Sequence, residues 1–230
     1  MNLRPAIVLL ACAALPLAAH AEPGGTSGVS SPSIEAGDIK LEWRSTVLDG
    51  EALDGDWSHR AQLGFSVSDW WRAQLNMRAA QPDDADFDVR SIGIETAFEL
   101  TATNDWPVQF GGQIEYKFGL DDTEDSVELK LLAERRAGPL SVRFNIAAER
   151  DVTGDSDEWE HIYSTRIMWR ANETWQFGVE GFSEPEENAH YFGPRLGVAI
   201  GDAALSFGYL AGIDDAQADG QFRLSLEWSP

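Results

Sequence analysis

The chain of 230 residues carries 39 acidic side chains against 17 basic ones, a formal charge of −22. An acidic excess of this size excludes the usual kind of nucleic-acid binder, which needs a basic face toward phosphate. The one cysteine, Cys12, falls in a leader that is expected to be removed, so disulfides, thiolate catalysis and cysteine-held metals are excluded from what remains.

Residues 1 to 21 read as that leader. Arg4 precedes an apolar run from Ala6 to Ala19, and Ala19-His20-Ala21 before Glu22 has the small-x-small form of a secretory cleavage site. Residues 22 to 37 follow, rich in Gly, Ser and Pro with little apolar content, and are expected to form a flexible tail. Beyond them no apolar run approaches the roughly 20 residues of a membrane-spanning helix. Any passage through a membrane must therefore be made by strands.

Period-two alternation begins at Ile39 and runs almost to the end. Ile39, Leu41, Trp43, Ser45 and Val47 alternate with Lys40, Glu42, Arg44 and Thr46, the mark of a strand with one apolar face. Trp57, Ala61, Leu63, Phe65 and Val67 then oppose Ser58, Arg60, Gln62, Gly64 and Ser66. After a tight turn at Ser68-Asp69-Trp70, Trp71, Ala73, Leu75 and Met77 oppose Arg72, Gln74, Asn76 and Arg78. Further strands are expected near 89 to 100, 108 to 120, 127 to 135, 140 to 149, 161 to 170, 175 to 183, 191 to 200, 204 to 212 and 221 to 228, with the face least certain around Val89 to Ile92. Twelve strands of this length suit a tilted transmembrane barrel.

The connections alternate in character. Those at 49 to 56, 81 to 88, 121 to 125, 151 to 160, 184 to 190 and 214 to 220 hold 23 of the 39 acids and no Lys or Arg, whereas the connections between them are short. Long loops on one side and tight turns on the other are characteristic of outer-membrane barrels. Trp43, Trp70, Trp71, Trp106, Trp169, Trp175 and Trp228 fall near the short-turn rim, and Trp57, Trp159, Tyr116, Tyr163, Tyr191 and Phe222 near the long-loop rim. Two such belts match lipid interfaces. A soluble sandwich or lipocalin-like barrel would also alternate, with its apolar face turned inward.

Over residues 38 to 228 the chain resembles the Gram-negative outer-membrane β-barrel superfamily. Its final strand, Phe222, Leu224, Leu226 and Trp228, is similar to the aromatic-ended segment read by the barrel-assembly machinery, although Ser229-Pro230 follow here. The resemblance implies an all-β, up-and-down barrel in the cell outer membrane, in contact with its lipid and lipopolysaccharide. Both termini, and the tail with them, are then expected in the periplasm.

With apolar side chains on lipid, the lumen receives a basic wall of Lys40, Arg44, Arg60, Arg72, Arg78 and Arg223 and an acidic wall of Glu95, Glu99, Glu115, Glu128 and Glu134. Such walls impose a transverse field on small polar solutes or ions, and inward glycines, among them Gly93 and Gly111, would leave space beside them. The expected function is a small porin-like channel. The alternative is a plugged structural or surface-binding barrel whose charges satisfy one another. A lipid-modifying enzyme carries less weight, because no His-x-Ser or Ser-x-His sets a base and a nucleophile on one face of a strand. No cofactor is expected, apart from weakly held Ca²⁺ or Mg²⁺ at the loop acids Asp121, Asp122, Glu124, Asp125, Asp155, Asp157 and Glu158, which lack EF-hand spacing.

Overall fold

The computed structural model describes residues 26–50, 53–83, 85–101, 106–154 and 158–230. The leader, Asp155 and Asp157 lie outside the described residues. Twelve antiparallel strands form one closed barrel: β1 (Ile39–Asp49), β2 (Trp57–Ser66), β3 (Trp71–Gln81), β4 (Asp88–Glu99), β5 (Gln109–Gly119), β6 (Ser126–Ala137), β7 (Leu140–Asp151), β8 (Glu160–Arg170), β9 (Trp175–Glu184), β10 (Ala189–Ile200), β11 (Ala203–Gly212) and β12 (Gly220–Trp228). Each strand pairs with its neighbour in sequence. Closure is made by β1 against β12, from Leu41 opposite Trp228 to Asp49 opposite Gly220. With no free edge, every strand has its ladder partners on both sides.

Local chemistry explains the corners. Gly138 and Gly201 carry the short turns at φ +58°, a left-handed conformation that a side chain would strain. At the opposite end Asp121, Asn188 and Asp214 take the same region, which short polar side chains tolerate best after glycine. Around Val89 to Ile92 the register shifts between Arg78 and Ala79, where Arg78 faces Ser91 but Ala79 faces Val89. That bulge lets the inward face of β4 resume at Ser91.

Burial settles the orientation that alternation leaves open. Leu131, Ile200 and Ile94 are 66%, 65% and 55% exposed, while Glu115, Glu134 and Glu180 are each 1% exposed. Apolar side chains outside and carboxylates inside invert a soluble barrel, so the exterior is built for lipid.

Two expectations about position change. Tyr191, assigned to the outer aromatic belt, shares the inward parity of Arg195 on β10 and is buried with Leu48, Ile162, Phe182 and Leu210 in an apolar cluster inside the long-loop end. Trp43, assigned to the short-turn rim, sits mid-strand with its ring 5.5 Å from that of His59.

The larger correction concerns the tail. Residues 26 to 37, expected as a flexible tail, lie against the inner wall. Ser31 Oγ donates to Glu134 Oε2 at 2.5 Å, Ser33 Oγ to Gln109 Oε1 at 3.1 Å, and the Ile34 amide to Glu99 Oε2 at 2.8 Å. Arg72 and Arg44 donate to the carbonyls of Ser33 and Thr26. Val29 and Ile34 are buried. A segment poor in apolar residues is thus held by polar groups of the lumen. Composition could not reveal those partners, because they belong to distant strands.

Candidate functional site: the barrel interior

Alternation on each strand projects one set of side chains into the lumen, where the two charged walls meet as local networks. Arg78 of β3 donates through both terminal nitrogens to Glu115 of β5, at 2.9 and 2.8 Å. Arg60 of β2 reaches Glu95 at 2.8 Å and Glu115 at 3.6 Å. Asn76 donates to both of these carboxylates, and Gln74 donates to Glu95. Two arginines and two glutamates from four consecutive strands therefore form one cross-linked group, as burial of charge in a narrow lumen requires.

The remaining wall residues follow the same rule. Lys130 and Lys117 hold Glu128 at 2.8 and 3.6 Å, and Lys117 also pairs with Glu149. Glu134 is approached by Arg136 at 2.7 Å and Arg143 at 3.2 Å. Lys40 bridges Glu42 and Glu227, and Arg44 pairs with Glu42. Arg72 is held by Ser66 Oγ at 3.0 Å and lies 3.9 Å from Asp38. Glu99 is taken by the tail and by Gln109.

Glu180 of β9, absent from the expected acidic wall, is the centre of a separate group. Arg166, Arg223 and Arg195 reach it at 2.7, 2.8 and 3.1 Å. Arg223, expected beside Arg44 and Arg60 on the basic wall, is thereby committed to β9, and its guanidinium also lies 4.8 Å from the ring centre of Phe182. The inward parity of Glu180 is readable in the sequence, but its three partners come from β8, β10 and β12. The space left by inward glycines is also taken: a Cβ at Gly111 would stand 2.8 Å from Pro32 of the tail, and one at Gly93 would strike the Glu115 carboxylate.

A cavity of about 680 Å³ occupies the long-loop end of the lumen. Arg78, Lys117, Glu149, Glu160 and Glu184 line it together with Leu48, Ile162 and Phe182, and Ser27 of the tail borders it. Asp122 and Glu124 reach its rim. Asp125 is committed elsewhere, accepting from Tyr116 Oη at 2.8 Å and from the Gly119 amide at 2.9 Å. Asp121 and Glu158 stand exposed in the same loops. Among the described residues no group of three or more acidic, His or Cys side chains is arranged to hold a metal ion.

Cross-strand pairing also makes contacts that spacing along one strand does not show. Ser45 Oγ lies 2.8 Å from His59 Nδ1 and Ser183 Oγ lies 2.9 Å from His190 Nδ1. Both pairs are on the outward face, where Trp43 Nε1 donates to Ser45 and Trp57 stacks on His59. The second nitrogen of each ring has no carboxylate partner among the described residues, so neither pair has the third group that orients a catalytic base.

A closed twelve-stranded antiparallel barrel with an apolar exterior and an ion-paired interior is the fold of a membrane-spanning β-barrel. Solved structures agree. The KdgM porin in complex with disordered oligogalacturonate superimposes with a TM-score of 0.60 at 10% identity, covering 84% of this chain and 99% of that one. The NanC porin gives 0.55 at 12% identity over 82% and 98% of the two chains. The COG4313 outer membrane channel from Pseudomonas putida F1 gives 0.58 at 10% identity over 92% and 100%. No family model and no curated protein sequence matches the chain.

Proposed function

We propose that the protein is a small outer-membrane channel for ions and small polar solutes, exported by way of the leader at residues 1 to 21. The acidic loops face outward and the short turns face the periplasm. Chain folding is completed by the barrel-assembly machinery, and the loops meet lipopolysaccharide through bridging divalent cations. The observation that carries the reading is the cavity of about 680 Å³ at the loop end of a barrel whose interior is lined by charge. Rings and walls of charged side chains are the means by which pores select. An acidic mouth concentrates cations and repels anions. Oligogalacturonate, found with KdgM, is a polyanion and would meet that mouth unfavourably.

Planar-bilayer conductance of the purified protein tests this. Reproducible unitary steps with cation selectivity under a salt gradient are expected, and a folded protein without steps overturns it. A second reading, a plugged barrel, is favoured by the tail lying in the lumen. Under that reading only a variant lacking residues 26 to 37 conducts.

A further inference from the structure

The cavity at the long-loop end combines two features that a water-filled passage does not need. One side is apolar: Leu48, Ile162 and Phe182 point into the lumen and are buried. The other side carries acidic side chains with no ion-pair partner among the described residues. Glu184 is 2% exposed, lines the cavity, and makes no hydrogen bond or ion pair with any described side chain. Glu160 is also without such a partner, and it stands directly opposite Glu149 in the β7–β8 ladder, so two like charges share one face about 5 Å apart. The cations that line the cavity are committed elsewhere. Arg78 is held by Glu115, Arg90 by Asp88 at 3.3 Å, and Lys117 by Glu128 and Glu149.

A carboxylate buried without a counter-charge is costly, and the cost falls when a cation arrives. Two unpaired carboxylates are too few for a hard divalent ion, which takes six or more oxygens. An ammonium offers three N–H donors and is satisfied by two carboxylates, and the apolar wall removes a hydrocarbon body from water. We propose that this cavity binds an organic ammonium ion with a compact apolar body, its charge on Glu184 and Glu160 and its hydrocarbon against Ile162, Leu48 and Phe182. The inference rests on solutes reaching the barrel interior, as the channel reading requires, and it adds the class of solute.

Phenethylammonium is a suitable probe, titrated calorimetrically into the full-length barrel purified in dodecyl maltoside. Saturable binding is expected, with phenethyl alcohol and methylammonium each weaker by about tenfold or more, since one lacks the charge and the other the apolar body. Glu184→Gln should weaken phenethylammonium by about tenfold, as expected for loss of a charge-assisted hydrogen bond, while Glu184→Asp retains part of the affinity. Ile162→Ser should weaken phenethylammonium and leave methylammonium unchanged. Should Glu184→Gln fail to fold, judged by its heat-modifiable gel shift, Glu160→Gln takes its place. No saturable binding, equal binding of the alcohol, or indifference to the glutamate substitutions overturns the proposal. Binding needs no membrane here, so binding without conductance supports the site and removes the channel, whereas conductance without binding overturns the site alone.

Discussion

Arg78 and Glu115, separated by the whole of β4, meet through two parallel hydrogen bonds of 2.9 and 2.8 Å in the barrel interior. The planar guanidinium fork fits the carboxylate, and Asn76 and Arg60 fill out the remaining contacts of Glu115. Arg78→Met would leave Glu115 with the more distant Arg60 as its nearest counter-charge. A loss of roughly 3 kcal/mol is expected in urea unfolding from lipid vesicles. Arg78→Met combined with Glu115→Leu should recover most of it, and a double variant no better than the single one would contradict the pairing.

Glu180 pairs with three arginines at once. Glu180→Gln removes that charge and leaves Arg166, Arg195 and Arg223 facing one another. The reversal potential under a salt gradient should move toward anion selectivity, because the interior gains one net positive charge. An unchanged potential would place this arginine group away from the ion path.

The tail offers a chemical handle. In Ser31→Cys the thiol replaces a hydroxyl in contact with Glu134 inside the barrel, whereas in Ser229→Cys it lies beyond the last strand. A bulky water-soluble maleimide should modify position 31 at least about tenfold more slowly than position 229, the ratio reporting how seldom the segment leaves the wall. Equal rates would show that residues 26 to 37 leave the lumen freely.

The exterior is tested by charge. Leu131 lies midway along β6 and faces outward, whereas Leu132 beside it is buried inside. Leu131→Arg should cost about 2–4 kcal/mol in vesicle refolding, the range for arginine at the middle of a bilayer. A cost near zero would mean that this face does not contact hydrocarbon.

Much of this architecture is local information. Alternation from Ile39 onward predicts each strand to within a few residues, because successive side chains must point to opposite faces, and Gly138 and Gly201 mark turns that only a residue free of Cβ strain makes easily. The common parity of Arg78 and Glu115 is likewise readable from each strand taken alone. Their bond is not, since a partner two strands away depends on the stagger of every ladder between them. Closure likewise delivers Arg223 to Glu180, sets Tyr191 inside the mouth, and lays a Ser- and Gly-rich segment along polar groups from β4 to β6. What the sequence determines by itself is which side chains share a face, a property of the pleat of one strand. Which of those charges are satisfied, and that Glu184 is left facing an apolar wall without an ion-pair partner among the described residues, is decided only when the barrel closes and distant strands are brought within hydrogen-bond reach.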